Sequence, residues 1–166
     1  RDLVELRDSH RGRPCAVLGG GPSLPAQVRR LAGDELLIGV NQHALLLALD
    51  YIVFQDAAVF DLVKDHPAQR ITQHRDLADI WSGIAPDFQF SGGTAVWVAD
   101  FFGCAPIILC GIDEYSADRR YWHSIERCGA QVSDRRAWVR VRDHCREPTA
   151  VRAMDGPLVE LFGGVE

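Results

Sequence analysis

The sequence predicts one α/β domain of the Rossmann-like, doubly wound type, built on a mostly parallel sheet. Short apolar runs that end in glycine or polar residues alternate with helical patterns, which is typical of strands joined by crossover helices. The length of 166 residues suits one domain, and 47% hydrophobic and 25% charged residues are ordinary for a globular protein. We expect the core over residues 14–113 and an arginine-rich C-terminal excursion over residues 114–166.

The first half of the chain contains three predicted strands with connecting helices. A short lead helix is expected near residues 3–7. The strands are predicted over residues 14–18, 36–40 and 51–54, and the helices over residues 25–31, 44–49 and 58–65.

The second half continues the alternation less regularly. A weak strand is predicted over residues 70–72, loop with some helix over 77–90, a helix over 95–102 and the clearest strand over 106–110. Gly103 supplies a C-terminal stop for that helix. Beyond the arginine-rich segment, residues 150–154 and 158–162 can form a terminal β pair around the turn Asp155-Gly156-Pro157.

The basic residues are almost all arginine. Only Lys64 is a lysine among 18 basic residues, and it lies far from any glycine-rich loop, which excludes a Walker A loop and Schiff-base chemistry. The net charge of −5 argues against binding nucleic acid or a membrane surface by charge alone. Residues 118–152 nevertheless hold nine arginines and five acids, so they form either an arginine wall facing a phosphate or a solvated helix face.

Five cysteines without a CxxC pair indicate free thiols in a reducing compartment. No apolar stretch approaches the roughly 18 residues of a membrane span, and the N-terminal residues are charged rather than signal-like. The sequence therefore predicts a cytoplasmic protein that does not contact a membrane.

Several polar or glycine-rich motifs fall at predicted strand ends, where ligands of open parallel sheets collect. The first is Gly19-Gly20-Gly21-Pro22-Ser23, whose backbone amides and following helix start can bind a phosphate, with Ser23 as donor or helix cap. The alternative role is a tight turn. Leu24 occupies the third glycine position of the dinucleotide fingerprint, which disfavours an NAD-dependent dehydrogenase.

Two single residues end the next strands. Asn41 can bind a ribose or a base edge, or it can cap a helix that starts at Gln42. Asp56 can hold Mg²⁺ or a sugar hydroxyl, or it can cap the helix that follows it.

Two further motifs complete this predicted edge. Ser91-Gly92-Gly93-Thr94 is a second amide-rich helix start with two hydroxyls, which favours a polyphosphate ligand. Gly111-Ile112-Asp113 follows a buried strand, so Asp113 with Glu114 can act as a general base or metal pair, or remain a solvated loop acid.

His123 lies in the arginine-rich excursion beside Tyr121 and Trp122. It can act on an anionic leaving group near neutral pH, or it can be a packing residue among aromatic side chains. The other histidines lack the spacing of zinc ligands, and no nucleophile elbow occurs.

The chain resembles a known family in the order of its motifs. These motifs are, in order, Val17-Leu18-Gly19-Gly20-Gly21-Pro22-Ser23-Leu24, Asn41, Asp56, Ser91-Gly92-Gly93-Thr94 and Pro106-Ile107-Ile108-Leu109-Cys110-Gly111-Ile112-Asp113. The family is the Rossmann-like MptE family of archaeal 6-hydroxymethylpterin diphosphokinases. More remotely, the chain resembles the bacterial CMP-sialic-acid-dependent sialyltransferases. The first family includes short proteins from phages and prophages, which this chain resembles in size.

The resemblance implies a nucleotide of the CMP, CTP or ATP kind across residues 19–23, Asn41 and residues 91–94. By similarity to the sialyltransferases, His123 would be the catalytic base. By similarity to the pterin kinases, Asp56 and Asp113 would bind metal or substrate. We therefore expect a nucleotide-dependent transferase of a diphosphoryl group, with Mg²⁺, or of a sugar. The alternative is a phage-encoded module that binds a nucleotide or a partner protein without turnover. A homodimer is one form of such a module.

Overall fold

The computed structural model describes residues 1–113 and 134–165. The predicted catalytic residue His123, together with Glu114 and the first arginines of the C-terminal excursion, lies outside the described residues.

The described chain contains one sheet of seven strands in the order β5-β4-β3-β2-β1-β6-β7, and every strand pairing is parallel. The strands are β1 (Cys15–Leu18), β2 (Leu36–Val40), β3 (Tyr51–Val53), β4 (Gln69–Thr72), β5 (Ile80–Trp81), β6 (Ile107–Cys110) and β7 (Val151–Ala153). The chain therefore winds outward from β1 in two directions, which confirms the predicted doubly wound fold.

Helices cover both faces of the sheet. They are α1 (Leu24–Val28), α2 (Phe60–Val63), α3 (Ser91–Phe101), α4 (Arg135–His144) and α5 (Val159–Phe162). Short 3₁₀ helices occur at Leu3–Leu6, Ala57–Val59, Arg75–Leu77 and Pro148–Ala150.

Strand β1 lies inside the sheet, and its four residues are all apolar. Successive strand side chains point to opposite faces, so Cys15 and Val17 join the core under α3 and α4, whereas Ala16 and Leu18 join the core under α1. All four are fully buried. A parallel sheet with both faces covered requires such a continuous apolar run.

Three local predictions are wrong, each for a packing reason. Residues 44–49 form turns rather than a helix, because Leu49 folds back over Gly39 of β2. Residues 77–90 include the short strand β5, whose Ile80 is fully buried. The terminal β pair does not form, since Val151–Ala153 joins β6 in parallel and Val159–Phe162 is helical.

The burial pattern of Val159–Phe162 explains why this segment is helical. Leu158 and Phe162 are four residues apart and are both buried, which is the spacing of one helix face. Among the described residues, no helix has both the length and the apolar composition to cross a bilayer.

An ion pair connects β4 to the residue that precedes β5, at one edge of the sheet. Arg70 on β4 donates from Nε and Nη2 to the two carboxylate oxygens of Asp79, at 2.7 and 2.9 Å. The Arg70 side chain also holds the pKa of Asp79 below its usual value.

A lowered carboxyl pKa predicts loss of stability in acid. The stabilisation is present above the unfolded pKa of Asp79 and is lost as pH falls through the lower folded value. Because the pair is partly solvent-exposed, Asp79→Asn should remove about 1 kcal/mol or less at neutral pH. Urea unfolding at neutral and acidic pH measures this. Asp79→Asn should lose less stability than the wild-type protein as pH falls, and equal slopes for the two proteins would contradict the assignment.

Candidate functional site

The direction of strand order reverses between β1 and β6. From β1 the chain continues to β2 on one side, whereas β6 continues to β7 on the other. The loops that leave the carboxyl ends of these two strands are residues 19–23 and 111–113, and this is the position at which ligands of open α/β sheets bind. The predicted glycine-rich loop and Asp113 are therefore brought together at the expected crevice.

The Asp113 carboxylate binds the glycine-rich loop directly. Its Oδ2 accepts from the Ser23 backbone N–H at 3.0 Å, and its Oδ1 accepts from the Ser23 hydroxyl at 2.5 Å. The Ser23 hydroxyl consequently makes no capping bond to α1. Asp113 holds the shape of the loop, and a role as general base or metal ligand stays a prediction.

Other loop amides are also used within the chain. Gly19 N–H donates to the Cys110 carbonyl at 2.8 Å, and Gly21 N–H donates to the Gly111 carbonyl at 2.7 Å. Gly20 is buried between them, opposite Asn41 when the β1–β2 register is continued. Fewer amides face a ligand than the sequence motif indicates.

Close approach of the two loops explains why glycine occupies this turn. A Cβ on Gly19 would lie 2.5 Å from the Gly111 carbonyl oxygen, and a Cβ on Gly21 would lie 2.8 Å from the same oxygen. The close approach of the two loops therefore requires glycine at both positions, and phosphate binding by this loop stays a prediction.

Gln27 is a site residue that sequence reasoning missed. Its side chain on α1 is buried; Oε1 accepts from Gly111 N–H at 2.7 Å, and Nε2 donates to Asp155 Oδ2 at 3.2 Å. Arg30 also contacts Asp155, at 2.5 Å. The available signal was a glutamine three residues after Leu24, on the buried face of a short helix.

Gln55 joins the end of β3 to the start of α3. Its backbone N–H donates to the Ser91 hydroxyl at 3.1 Å, and its Nε2 donates to the Thr94 hydroxyl at 2.7 Å. The Gln55 carbonyl oxygen lies 2.6 Å from His74 Nε2. The two hydroxyls predicted to bind phosphate thus have partners in the protein, and they fix the α3 N-terminus at the carboxyl edge of the sheet.

The glycines at the start of α3 allow α4 to pack closely. A Cβ on Gly93 would lie 2.7 Å from the Phe90 ring and 2.8 Å from Val141 Cγ2, whereas a Cβ on Gly92 would meet only ordinary contacts at 3.6 Å. Phe90, at the N-cap position, offers no side-chain cap. In the part of the chain that the structure describes, the first α3 amides therefore have neither a side-chain cap nor intrahelical partners.

This difference predicts opposite effects of alanine at neighbouring positions. Gly93→Ala should lower the free energy of unfolding by about 1–2 kcal/mol, because Val141 is fully buried and stiff at χ1. Gly92→Ala should be neutral or slightly stabilising, since alanine favours helix and fits the space. Thermal unfolding of both variants measures the effect. Equal destabilisation by the two substitutions would contradict the packing explanation.

Asn41 lies at the end of β2 in the left-handed region, with φ of 53°, which asparagine tolerates better than most residues. No helix begins at Gln42, so the capping alternative for Asn41 is wrong. Asn41 Oδ1 and Gln42 Oε1 are both buried, and neither accepts a hydrogen bond within the described residues. Buried acceptors without donors are uncommon and call for an explanation.

Asp56 follows β3 and is exposed, and its Oδ1 accepts from Ala58 N–H at 2.9 Å as a helix cap. The capping alternative is thus satisfied. Residues 1–113 and 134–165 contain no group of three or more metal-ligating side chains. At the same edge, burial raises the pKa of the Cys110 thiol to about 12, so this cysteine is no nucleophile at neutral pH.

The fold and the crevice define an α/β domain of the Rossmann-like class. No protein-family model matches the sequence, and no curated protein sequence matches it. A solved structure with a similar fold is that of the MAf glycosyltransferase from Magnetospirillum magneticum AMB-1, with a TM-score of 0.51 and 14% sequence identity. The similarity covers 68% of this chain and 25% of that chain. At this identity the comparison establishes the fold, and the chain spans about a quarter of that protein's length.

Proposed function

We propose that this chain binds a nucleotide at the crevice between β1 and β6 and belongs to a nucleotide-dependent transferase. The observation that carries the proposal is the position of Asn41, whose unpartnered buried oxygen lies at the same sheet edge as Gly20 and the uncapped α3 start. The glycosyltransferase activity of a protein with a similar fold and the resemblance to nucleotide-dependent sialyltransferases both support a sugar as the transferred group.

The chemistry would depend on backbone amides more than on charged side chains. The α3 amides would stabilise negative charge that develops on phosphate oxygens during transfer. Ser23 and Asp113 would position the glycine-rich loop. By the sialyltransferase resemblance, His123 would take the proton from the acceptor hydroxyl.

Diphosphoryl transfer, as in the pterin kinases, is the alternative to sugar transfer, and it would need Mg²⁺. Among the described residues Asp56 and Asp113 offer carboxylates, but Asp56 already caps a helix turn and both oxygens of Asp113 accept hydrogen bonds from Ser23. This donor set does not fit a resident Mg²⁺ site, so we derive no step through the ion and favour sugar transfer.

Isothermal titration tests nucleotide binding. CMP, CTP, GTP and ATP are titrated with and without Mg²⁺, and pyrophosphate serves as the probe that lacks a base. We expect measurable binding of at least one nucleotide and weaker binding by Asn41→Ala. Absence of any binding at millimolar ligand would overturn the proposal.

A phage-type binding module without turnover is the second candidate. The observation that favours it is the engagement of Asp113 by Ser23, which occupies both oxygens of a carboxylate proposed for chemistry. A panel of CMP-, UDP- and GDP-sugars followed by phosphorus NMR separates the candidates. Nucleotide release that is abolished by His123→Ala supports the transferase, whereas binding without release supports the module.

A further inference from the structure

Two cysteine thiols meet at the amino edge of the sheet, the edge at which the parallel strands begin and which lies opposite the crevice. Cys15 is the first residue of β1, and Cys104 lies in the loop that joins α3 to β6. The Cys15 S–H donates a hydrogen bond to Cys104 Sγ. Because the two residues are far apart in the sequence, only the fold brings these thiols together.

Backbone hydrogen bonds hold the chain beside this thiol pair. Ala105 N–H donates to the Arg13 carbonyl at 3.0 Å, and Cys15 N–H donates to the Pro106 carbonyl at 2.9 Å. Both bonds continue the parallel pairing of β1 with β6 toward the amino edge. Cys104 directly precedes Ala105, and its side chain belongs to the same buried cluster as that of Cys15. The contact between the thiols is therefore fixed by the backbone of two paired segments.

The two thiols differ in exposure and in acidity. Cys104 is 3% exposed, whereas Cys15 is fully buried. The Cys15 thiol lowers the pKa of Cys104 because it donates to the Cys104 sulfur, and the positive charge of Arg13 acts in the same direction. Burial raises the pKa of Cys15 well above its usual value. Cys104 is therefore the thiol that a small oxidant meets first and the one that more readily forms the nucleophilic thiolate.

We infer that Cys15 and Cys104 form a redox-active dithiol, which closes to an intramolecular disulfide when the protein meets a peroxide. A peroxide oxidises a thiol to a sulfenic acid, and a neighbouring thiol converts that acid to a disulfide before further oxidation. A thiol reductant reopens the bond. The inference does not depend on nucleotide binding, since the crevice lies at the carboxyl edge of the sheet.

The reaction takes place in two steps. The Cys104 thiolate attacks a peroxide oxygen, the O–O bond breaks, and the released hydroxide takes up a proton to become water. Cys104 is then a sulfenic acid. The Cys15 sulfur attacks the Cys104 sulfur, the S–O bond breaks, and the Cys15 proton leaves with the oxygen as a second water. The two thiols lose two electrons in total, and these electrons reduce the peroxide.

Peptide mapping tests the pair, with Cys128→Ser as the background because Cys128 lies outside the described residues. The folded, reduced protein is treated with hydrogen peroxide, the remaining thiols are blocked with N-ethylmaleimide in denaturant, and the digest is analysed by mass spectrometry. We expect one cross-linked peptide pair, Cys15 with Cys104. Cys110 and Cys145 are internal controls, because burial raises the pKa of each to about 12 and they should stay reduced. Recovery of Cys15 and Cys104 without a bond between them, or cross-links to Cys110 or Cys145 in comparable yield, would overturn the inference.

Thermal unfolding shows whether the bond forms within the native packing. A disulfide that closes a loop of about 90 residues restricts the unfolded chain, so Tm should rise by about 5 °C or more on oxidation. Dithiothreitol should restore the original Tm. An unchanged or lower Tm after oxidation would contradict the conclusion that the fold positions the two thiols for this bond.

Two matched variants test the order of attack. In Cys15→Ala the sulfenic acid of Cys104 has no thiol to react with, so it should persist and form an adduct with dimedone. Cys104→Ala is the control and should give little adduct at Cys15. Alanine keeps a small apolar side chain at either buried position. Equal dimedone labelling of the remaining thiol in the two variants would overturn the assignment of Cys104 as the attacking thiol.

Discussion

Asp100→Ala is expected to lower the free energy of unfolding by about 3 kcal/mol, the largest effect of a single polar side chain in the described structure. Asp100 lies on α3 and is 2% exposed. Its oxygens accept from the backbone N–H groups of Arg146 at 2.8 Å and Glu147 at 3.0 Å. These bonds hold the segment between α4 and β7 against α3. The substitution removes the acceptor of both amides and the buried carboxylate that faces Arg146 Nε at 3.5 Å.

Chemical denaturation measures the Asp100 effect, with Asp143→Ala as the matched control. Asp143 is exposed and, within residues 1–113 and 134–165, forms an ion pair with its neighbour Arg142, so its replacement should change stability by about 0.5 kcal/mol or less. Similar values for the two variants would show that the buried carboxylate does not organise this segment.

Gly21→Ala is expected to produce the second largest effect, a loss of about 1–3 kcal/mol together with weaker nucleotide binding. An added Cβ would lie 2.2 Å from Asp113 Oδ2 and 2.8 Å from the Gly111 carbonyl oxygen. The Ser23–Asp113 contacts and the β6 loop would have to shift. Because both loops line the crevice, nucleotide affinity should fall along with stability.

A double-mutant cycle with Asp113→Ala distinguishes this clash from a general strain of the turn. Removal of the carboxylate eliminates the closest contact, so Gly21→Ala should be less damaging in that background, with a coupling of about 1–2 kcal/mol. Unfolding by urea gives the four stabilities. An additive cycle would show that the loss comes from strain of the turn and not from a clash with the Asp113 carboxylate.

The sheet and its edge were predictable because both depend on local sequence. Apolar runs such as residues 106–110 have the length of buried strands, and glycine or polar residues follow each run. Helical spacing was less reliable in short apolar segments. Residues 44–49 contain only alanine and leucine, both good helix formers, yet they form turns and irregular chain, whereas Val159–Phe162 is helical.

The partners within the site were not predictable from spacing. Ser23 and Asp113 are 90 residues apart, and Gln55 and Thr94 are 39 residues apart. A hydroxyl beside glycines favours a phosphate by local pattern, but a long-range acceptor can satisfy the same hydroxyl. Conversely, the unpartnered oxygens of Asn41 and Gln42 emerge only when the fold has buried them.

The most direct test of nucleotide binding at the crevice is an amide NMR titration of the labelled protein with CDP. We expect the largest shifts at Gly20, Asn41 and residues 91–93, at the carboxyl edge of the sheet. Pyrophosphate should reproduce the shifts at residues 91–93 and change Asn41 less than CDP does. Shifts centred on the opposite edge, near His10 and Tyr51, or no shifts at millimolar CDP, would contradict nucleotide binding at the crevice.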